Sequence, residues 1–297
     1  MRFAKRWRLL LIVFKKLVLQ FEFRRWPVRA SLSDGFLPLV FLSCVAALLA
    51  APARAKIPET GFLDRTVTLA GTKYKYQVFV PDNWTPSKKW PVILFLHGVG
   101  ERGDDGLAQT DIGLGSAIRM NRSRFPAIVV MPQCRKNVWW FDPPMDDLAM
   151  AALAQAEKEF QGDPRRVYLT GLSMGGYGTW HLAAKYPGKF AALAPVCGGI
   201  LHPEEARVHP PQEKKPYTDA AKKIGDNTPV WIFHGAMDDT VPVTESRRMA
   251  EAMKALGGET RYTEYPGVGH DSWDKAYAEP ELFTWMLSKT LGSKASK

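Results

Sequence analysis

The chain has 297 residues, of which 46% are hydrophobic and 24% charged, with a formal net charge of +10 and three cysteines. This composition excludes a disordered polyampholyte, a collagen-like repeat and a disulfide-dense mini-protein, and it leaves enough chain for a sizeable core. Residues 1–55 hold ten of the basic residues and two of the acidic ones, so the remaining 242 residues carry a net charge of only +2. Charge therefore gives no reason to expect a nucleic-acid partner, and the sequence has no nucleic-acid-binding motif.

The N-terminal segment predicts an export signal. Residues 36–50 form an uncharged apolar stretch that follows a basic lead and precedes Ala53-Arg54-Ala55. This order is typical of a secretory signal peptide, so we predict cleavage near Ala55, release to the periplasm or the medium, and only transient contact with the membrane. The alternative is a membrane anchor formed by residues 36–50, although fifteen to eighteen residues are short for a span.

From residue 64 onward, short apolar runs alternate with helical stretches. Tyr74, Tyr76, Val78 and Val80 recur at every second position, which predicts a strand with one buried face. Unbroken apolar runs predict strands covered on both faces; they are Val92–Leu96, Ala127–Met131, Val167–Thr170, Ala191–Val196 and Val230–Phe233, with Thr260–Tyr265 as a further strand. Helices are predicted at Asp146–Phe160, Met174–Tyr186, Thr244–Leu256 and Pro280–Leu291.

This alternation predicts one α/β domain over residues 56–297, built on a mostly parallel sheet. The polar and proline-rich segment 202–226 interrupts the pattern, and we predict an inserted loop there with one short helix, Tyr217–Ile224. Only about 32 residues separate Val196 from Pro229, too few for a large cap domain. We therefore expect an open, shallow site.

A candidate nucleophile lies in Gly171-Leu172-Ser173-Met174-Gly175, directly between a predicted strand and a predicted helix. A serine on a turn this tight needs glycine two positions to either side, because larger residues would clash, and the turn lifts its hydroxyl above the sheet. The alternative is a glycine-rich turn that only packs the helix on the strand. The strand-turn-helix context favours Ser173 as a nucleophile.

An acid and a base follow Ser173 in the order that this architecture requires. Asp238 comes after the strand Val230–Phe233, and His270 comes after Thr260–Tyr265. The carboxyl ends of parallel strands meet at one edge of a sheet, so we predict His270 as the general base and Asp238 as the acid that orients it. The rivals for the acid are Asp239 and Asp271.

Backbone donors for an oxyanion are predicted in two places. The N–H of Met174 follows the nucleophile, and a second N–H comes from the glycine-rich loop after Leu96, where we favour Val99 over Gly100. The loop matches neither glycine-rich phosphate-binding pattern. No His, Cys or carboxylate group has metal-ligand spacing, so we expect neither a metal nor a cofactor.

Four motifs in this order resemble the α/β-hydrolase superfamily: His97-Gly-x-Gly-Glu-Arg-Gly, Gly171-x-Ser-x-Gly-Gly, His234-Gly-x-x-Asp-x-x-Val-Pro and the Gly269-His270 turn. Within it, the chain is similar to the esterases and predicted peptidases near the dienelactone hydrolases, the small carboxylesterases and the polyhydroxybutyrate depolymerases. The resemblance covers roughly residues 64–292. It implies an eight-stranded, mostly parallel sheet with helices on both faces, and hydrolysis through an acyl-enzyme.

The leading functional hypothesis is an exported serine hydrolase that cleaves carboxylic esters, either small molecules or acylated polymers. Trp273, Trp139 and Trp140 are candidates for the walls of its substrate pocket, the alternative being tryptophans that only pack the fold. A serine peptidase of the same fold is the second hypothesis, and a binding protein without activity is the third. The sequence leaves the oligomeric state open, as well as whether Cys134 and Cys197 pair or stay separate thiols.

Overall fold

The computed structural model describes residues 59–202, 204–205 and 214–292, and the predicted leader with its cleavage site and alternative anchor lies outside them. Eight strands form one sheet in the order β1-β2-β4-β3-β5-β6-β7-β8. β1 pairs antiparallel with β2, β2 pairs antiparallel with β4, and the other neighbours are parallel. The strands are β1 Gly61–Leu69, β2 Thr72–Val80, β3 Trp90–Leu96, β4 Ile128–Pro132, β5 Gly162–Leu172, β6 Ala192–Val196, β7 Val230–Gly235 and β8 Thr260–Tyr265.

The central strands are buried on both faces, which explains their unbroken apolar sequences. In β3, Val92 and Leu94 contribute to one hydrophobic core, whereas Ile93 and Phe95 contribute to a second core on the opposite face. Alternate side chains of a strand point to opposite faces, so a strand between two cores has no polar side. The prediction of a mostly parallel eight-stranded sheet is confirmed.

Helices cover both faces of the sheet, as predicted. Met145–Glu159 and Met174–Lys185 pack against the first core, whereas Leu114–Met120 and Leu282–Leu287 pack against the second. In chain order, the helices within the described residues are α1 Leu114–Met120, α2 Met145–Glu159, α3 Met174–Lys185, α4 Lys215–Ile224, α5 Thr244–Ala255, α6 Trp273–Ala278 and α7 Leu282–Leu287, with three short 3₁₀ turns besides.

Three elements were not predicted from the sequence pattern: β1, α1 and α6. β1 lies at the edge of the sheet and alternates exposed polar with partly buried residues, so its apolar signal is weak. α1 and α6 have only seven and six residues, too few for helical periodicity to emerge. The last predicted helix was too long, because α7 spans only Leu282–Leu287 within the predicted Pro280–Leu291.

The insert is short, as predicted, and its described part contains α4, which begins two residues before the predicted Tyr217. Cys134 and Cys197 are both buried and free, which agrees with separate thiols and not with a disulfide. Among the described residues, no helix has the length and apolar character needed to cross a membrane.

Candidate active site

Ser173 occupies a strained turn between β5 and α3. Its backbone adopts φ 52° and ψ −119°, a region that residues other than glycine rarely populate. A Cβ on Gly171 would lie 2.3 Å from the Gly175 carbonyl oxygen, and a Cβ on Gly175 would lie 1.9 Å from the Leu96 carbonyl oxygen. Both glycines are therefore required by close backbone approach, for the reason that the sequence pattern predicted.

The turn directs Ser173 toward His270, and His270 toward Asp238. The Ser173 Oγ lies 2.8 Å from His270 Nε2, and His270 Nδ1 lies 2.7 Å from Asp238 Oδ2. The carboxylate only accepts, so Nδ1–H donates to Asp238 and Nε2 is left to accept the serine hydroxyl proton. The three side chains come from loops after β5, β7 and β8 and form one hydrogen-bonded chain at the carboxyl edge of the sheet.

Asp238 is the carboxylate that reaches His270, whereas Oδ1 of the rival Asp239 accepts the Thr240 hydroxyl. The Asp238 side chain has no exposed surface, and its Oδ1 accepts the backbone N–H groups of Thr240 and Val241 at 2.9 and 2.8 Å. Burial alone would raise the pKa of Asp238, but hydrogen bonds from His234, His270 and the Val241 N–H outweigh it and hold this pKa well below its usual range.

The predicted oxyanion donors belong to two segments next to Ser173, the start of α3 and the loop after β3. Met174 is the first residue of α3, where an N–H has no acceptor within the helix. Val99 begins a short 3₁₀ turn on the loop after β3, and its side chain is 48% exposed. A Cβ on Gly98 would lie 3.6 Å from the Ser173 Cβ, so the backbone of this loop passes directly beside the serine. Gly100 faces open space.

His97 holds the base of this loop, a role that sequence reasoning missed. It is fully buried, its Nδ1 lies 2.6 Å from the Gly98 carbonyl oxygen, and its Nε2 accepts the Cys134 N–H at 2.9 Å. Burial lowers the pKa of His97 to about 4, so the ring is neutral near pH 7. The only sequence signal for this role is that a histidine opens the turn directly after a buried strand.

The three tryptophans differ in their positions. Trp273 meets the His270 ring edge to face, with centroids 5.5 Å apart, and Trp139 is partly exposed and stacks on Phe141 at 5.3 Å. The prediction that Trp140 lines the pocket is wrong. Its side chain is fully buried and donates from Nε1 to the His97 carbonyl oxygen, so it supports the loop from below.

Arg102 and Glu101 lie behind the exposed part of the same loop. The Arg102 guanidinium lies 5.4 Å from the centre of the Trp139 ring, and its Nε approaches the Met174 sulfur at 3.2 Å. Within the described residues, Glu101 Oε2 and Arg102 Nη2 are buried without a hydrogen-bond partner. Burial raises the pKa of Glu101, although N–H groups of the loop oppose the shift.

One group of possible metal ligands occurs among the described residues, and it overlaps the site. Ligand atoms of Cys197, Asp238 and His270 lie within 4.8 Å of one another. Burial raises the pKa of the Cys197 thiol strongly, which favours its protonated form. Because His270 and Asp238 already share a hydrogen bond, the arrangement favours proton transfer over ligation.

Comparison with known proteins places the chain among esterases. The model of the family described as "Putative esterase" matches residues 68–279. An uncharacterized secreted protein of Arthroderma benhamiae is 27% identical over an alignment of 242 residues, which covers 73% of this chain and 25% of that protein. A poly(3-hydroxyoctanoate) depolymerase of Pseudomonas fluorescens is 26% identical over 63% of this chain and 70% of its own length.

Solved structures give the same result. The crystal structure of a thermostable esterase is 32% identical and superposes with a TM-score of 0.66, covering 77% of this chain and 63% of that one. The chain spans only a quarter of the Arthroderma relative and less than two thirds of the solved esterase. The family match itself covers more than two thirds of this chain, and the fold agrees with it. The chain therefore belongs to this esterase family of the α/β-hydrolase group.

Proposed function

We propose that this esterase is a serine hydrolase that cleaves carboxylic esters through an acyl-enzyme, with Ser173, His270 and Asp238 as its catalytic residues. The observation that carries the proposal is the continuous chain of hydrogen bonds from Asp238 through His270 to the Ser173 hydroxyl, with distances of 2.7 and 2.8 Å. Such a chain supplies a nucleophile, a base and an orienting carboxylate within direct reach of one another.

In the proposed first step, Ser173 Oγ attacks the ester carbonyl while His270 Nε2 takes the hydroxyl proton. The carbonyl oxygen becomes an oxyanion, which the N–H groups of Met174 and Val99 stabilise. The bond to the alcohol then breaks, and His270 returns its proton to the departing oxygen. The products of this step are the free alcohol and an acyl group bound to Ser173.

In the second step, water replaces the alcohol. His270 takes a proton from the water as its oxygen attacks the acyl carbon, and the same N–H groups hold the second oxyanion. The bond to Ser173 Oγ breaks, the proton returns to this oxygen, and the carboxylic acid leaves. Asp238 stays ionised throughout. It orients the His270 ring and stabilises the imidazolium.

The substrate is proposed as an ester of a small molecule or of an acylated polymer. The insert of about 32 residues is too short for a large cap domain, and a matching relative is named as a depolymerase of poly(3-hydroxyoctanoate). Export is part of the proposal, because a further relative is named as a secreted protein. N-terminal sequencing of the exported protein tests it, with a start near Lys56 as the expected result and retention of residues 36–50 as the contrary one.

The proposed reaction is tested by comparing substrates and variants. We expect the protein to hydrolyse p-nitrophenyl acetate, and Ser173→Ala to lose this activity by a factor of about 10³ or more. The matched control is Ser87→Ala, in an exposed turn between β2 and β3, which we expect to remain fully active. Faster cleavage of peptide anilides than of the ester would favour the peptidase, and full ester hydrolysis by Ser173→Ala would refute the proposed nucleophile.

A further inference from the structure

A second histidine contacts the proposed catalytic acid. His234 is fully buried near the end of β7, four residues before Asp238, and its Nε2 lies 3.2 Å from Asp238 Oδ2. We infer that His234 is a positioning residue, which holds the Asp238 carboxylate in the orientation that His270 requires. This inference rests on the proposed function, and it adds a residue that does not itself contact the reacting atoms.

The neighbours of His234 assign its tautomer. Nε2 lies 3.0 Å from the Val241 carbonyl oxygen as well as 3.2 Å from Asp238 Oδ2, and both of these groups only accept hydrogen bonds. The proton must therefore be on Nε2, which donates to the Val241 carbonyl oxygen and places its N–H beside the Asp238 carboxylate. Nδ1 lies 2.6 Å from Ser246 Oγ and accepts that hydroxyl proton. The Ser246 hydroxyl, on α5, thus pairs with the unprotonated nitrogen and favours the tautomer with its proton on Nε2.

Two histidines consequently converge on a single carboxylate oxygen. Asp238 Oδ2 receives the N–H of His270 at 2.7 Å and lies 3.2 Å from Nε2 of His234, while Oδ1 receives two backbone N–H groups. The backbone donors fix one oxygen, and His234 fixes the other in the plane that faces His270. Without His234, a buried lone pair would lose its donor and the carboxylate would lose a restraint on its rotation.

The electrostatic effect of His234 has a definite sign. A positive N–H dipole beside Oδ2 offsets part of the negative charge that stabilises the His270 imidazolium, so its removal should move the acid limb of kcat/KM to higher pH. The limb responds because His270 must be neutral to accept a proton. Among the described residues, the Cys197 thiol and the Tyr177 phenol also interact electrostatically with Asp238, and Glu264 of β8 interacts with His234. The shift of the acid limb is therefore measured in variants that leave Cys197, Tyr177 and Glu264 unchanged.

Two amide substitutions distinguish the roles of the two ring nitrogens of His234. The side-chain nitrogen of His234→Gln can occupy the position of Nε2 and donate to Asp238, whereas that of His234→Asn reaches only the position of Nδ1. We expect His234→Asn to lower kcat by about 10- to 100-fold with little change in KM, and to move the acid limb to higher pH. We expect His234→Gln to restore most of kcat and to return the acid limb of kcat/KM to its wild-type position.

A third variant keeps the test decisive if the His234 variants fold poorly. Ser246→Ala removes the donor to Nδ1 without altering β7, and we expect a several-fold loss of kcat with a limb shifted in the same direction. An unchanged kcat and pH profile in folded His234→Asn or in Ser246→Ala would overturn the inference. So would equal losses in His234→Asn and His234→Gln with an unmoved limb, because that pattern indicates a role in folding alone.

The same preparations distinguish this inference from the proposed function. A fluorophosphonate probe should label Ser173 in the wild type, and more slowly in His234→Asn. If the wild type is active but Ser173 is not labelled, the proposed function fails whatever the role of His234. If both proteins label Ser173 at equal rates and share one pH profile, the proposed function stands and the positioning role of His234 falls.

Discussion

The two sides of Ser173 are built differently. On the acid-base side, Asp238 is buried and each of its oxygens has donors, so His270 is already aligned with the serine. On the proposed oxyanion side, Gly98 passes beside Ser173 and Val99 is exposed, and Glu101 and Arg102 of the same loop bury side-chain atoms that have no hydrogen-bond partner among the described residues. The groups on the first side bond to one another within the protein, whereas the proposed donors on the second side would bond to a ligand.

This difference separates the proposed proton transfer from the proposed stabilisation of the oxyanion. The proton-transfer chain is held by internal hydrogen bonds, so it requires little reorganisation when an ester binds. The proposed oxyanion donors would stabilise a charge that exists only during the reaction, so their partner must come from the substrate. Changes on the acid-base side should therefore alter the pH profile as well as the rate, and changes on the oxyanion side should alter the rate alone.

The largest effect is expected at the acid. Asp238→Asn should lower kcat by about 10³- to 10⁴-fold, because an amide cannot hold His270 in the tautomer that accepts the serine proton. Asp239→Asn is the matched control, one residue along the chain, and should lose no more than a few-fold. Steady-state kinetics with p-nitrophenyl acetate measures both. If the two variants lose activity equally, the assignment of the acid is wrong.

The next largest effect is expected on the oxyanion loop. Val99→Pro deletes the N–H at the first position of a 3₁₀ turn, where proline is well tolerated, and should lower kcat by about 10²- to 10³-fold. The acid limb of kcat/KM should not move. Val99→Ala keeps the N–H and should remain close to the wild type. A fully active Val99→Pro would move the second donor to another residue, with Gly100 as the first alternative.

The smallest effect concerns stability and pH. The pKa of Asp238 in the folded protein lies below its unfolded value of about 3.9, so its ionised form stabilises the fold above that pH and the contribution is lost as the pH falls through the folded pKa. The free energy of unfolding of the wild type should therefore exceed that of Asp238→Asn at pH 6, and the difference should narrow toward pH 2. Urea titrations measure it.

The control for this stability experiment is Asp104→Asn. The Asp104 side chain is 80% exposed, and a solvated carboxylate contributes little to folding. Its difference from the wild type should stay small and flat over the same pH range. Parallel curves for the wild type and Asp238→Asn would contradict the low pKa of Asp238.

The sequence predicted the fold and the placement of Ser173, Asp238 and His270 well, for a physical reason. Strands buried on both faces leave unbroken apolar runs, and the turn at Ser173 admits only glycine at Gly171 and Gly175, so both features are visible in the residue pattern. The carboxyl edge of a parallel sheet then brings loops that are distant in sequence to one place.

Other features depend on contacts that no local pattern records. The contact of His234 with Asp238 requires the Val241 carbonyl and the Ser246 hydroxyl to reach opposite sides of one ring, which the path of the chain into α5 decides. Trp139 and Trp140 are neighbours with the same side chain, yet one reaches the surface and the other is enclosed below the His97 loop. The residue types alone do not distinguish Trp139 from Trp140, and they do not indicate that His234 contacts Asp238.

The central claim is that Ser173 carries the acyl group, and covalent labelling tests it most directly. The protein is incubated with a fluorophosphonate probe, digested, and its peptides are mapped by mass spectrometry, with Ser173→Ala as the parallel sample. We expect one modified residue, Ser173, with loss of ester hydrolysis in step with labelling, and no modification of the variant. Complete inactivation with the probe on a different residue, or an active enzyme in which Ser173 stays unmodified, would contradict it.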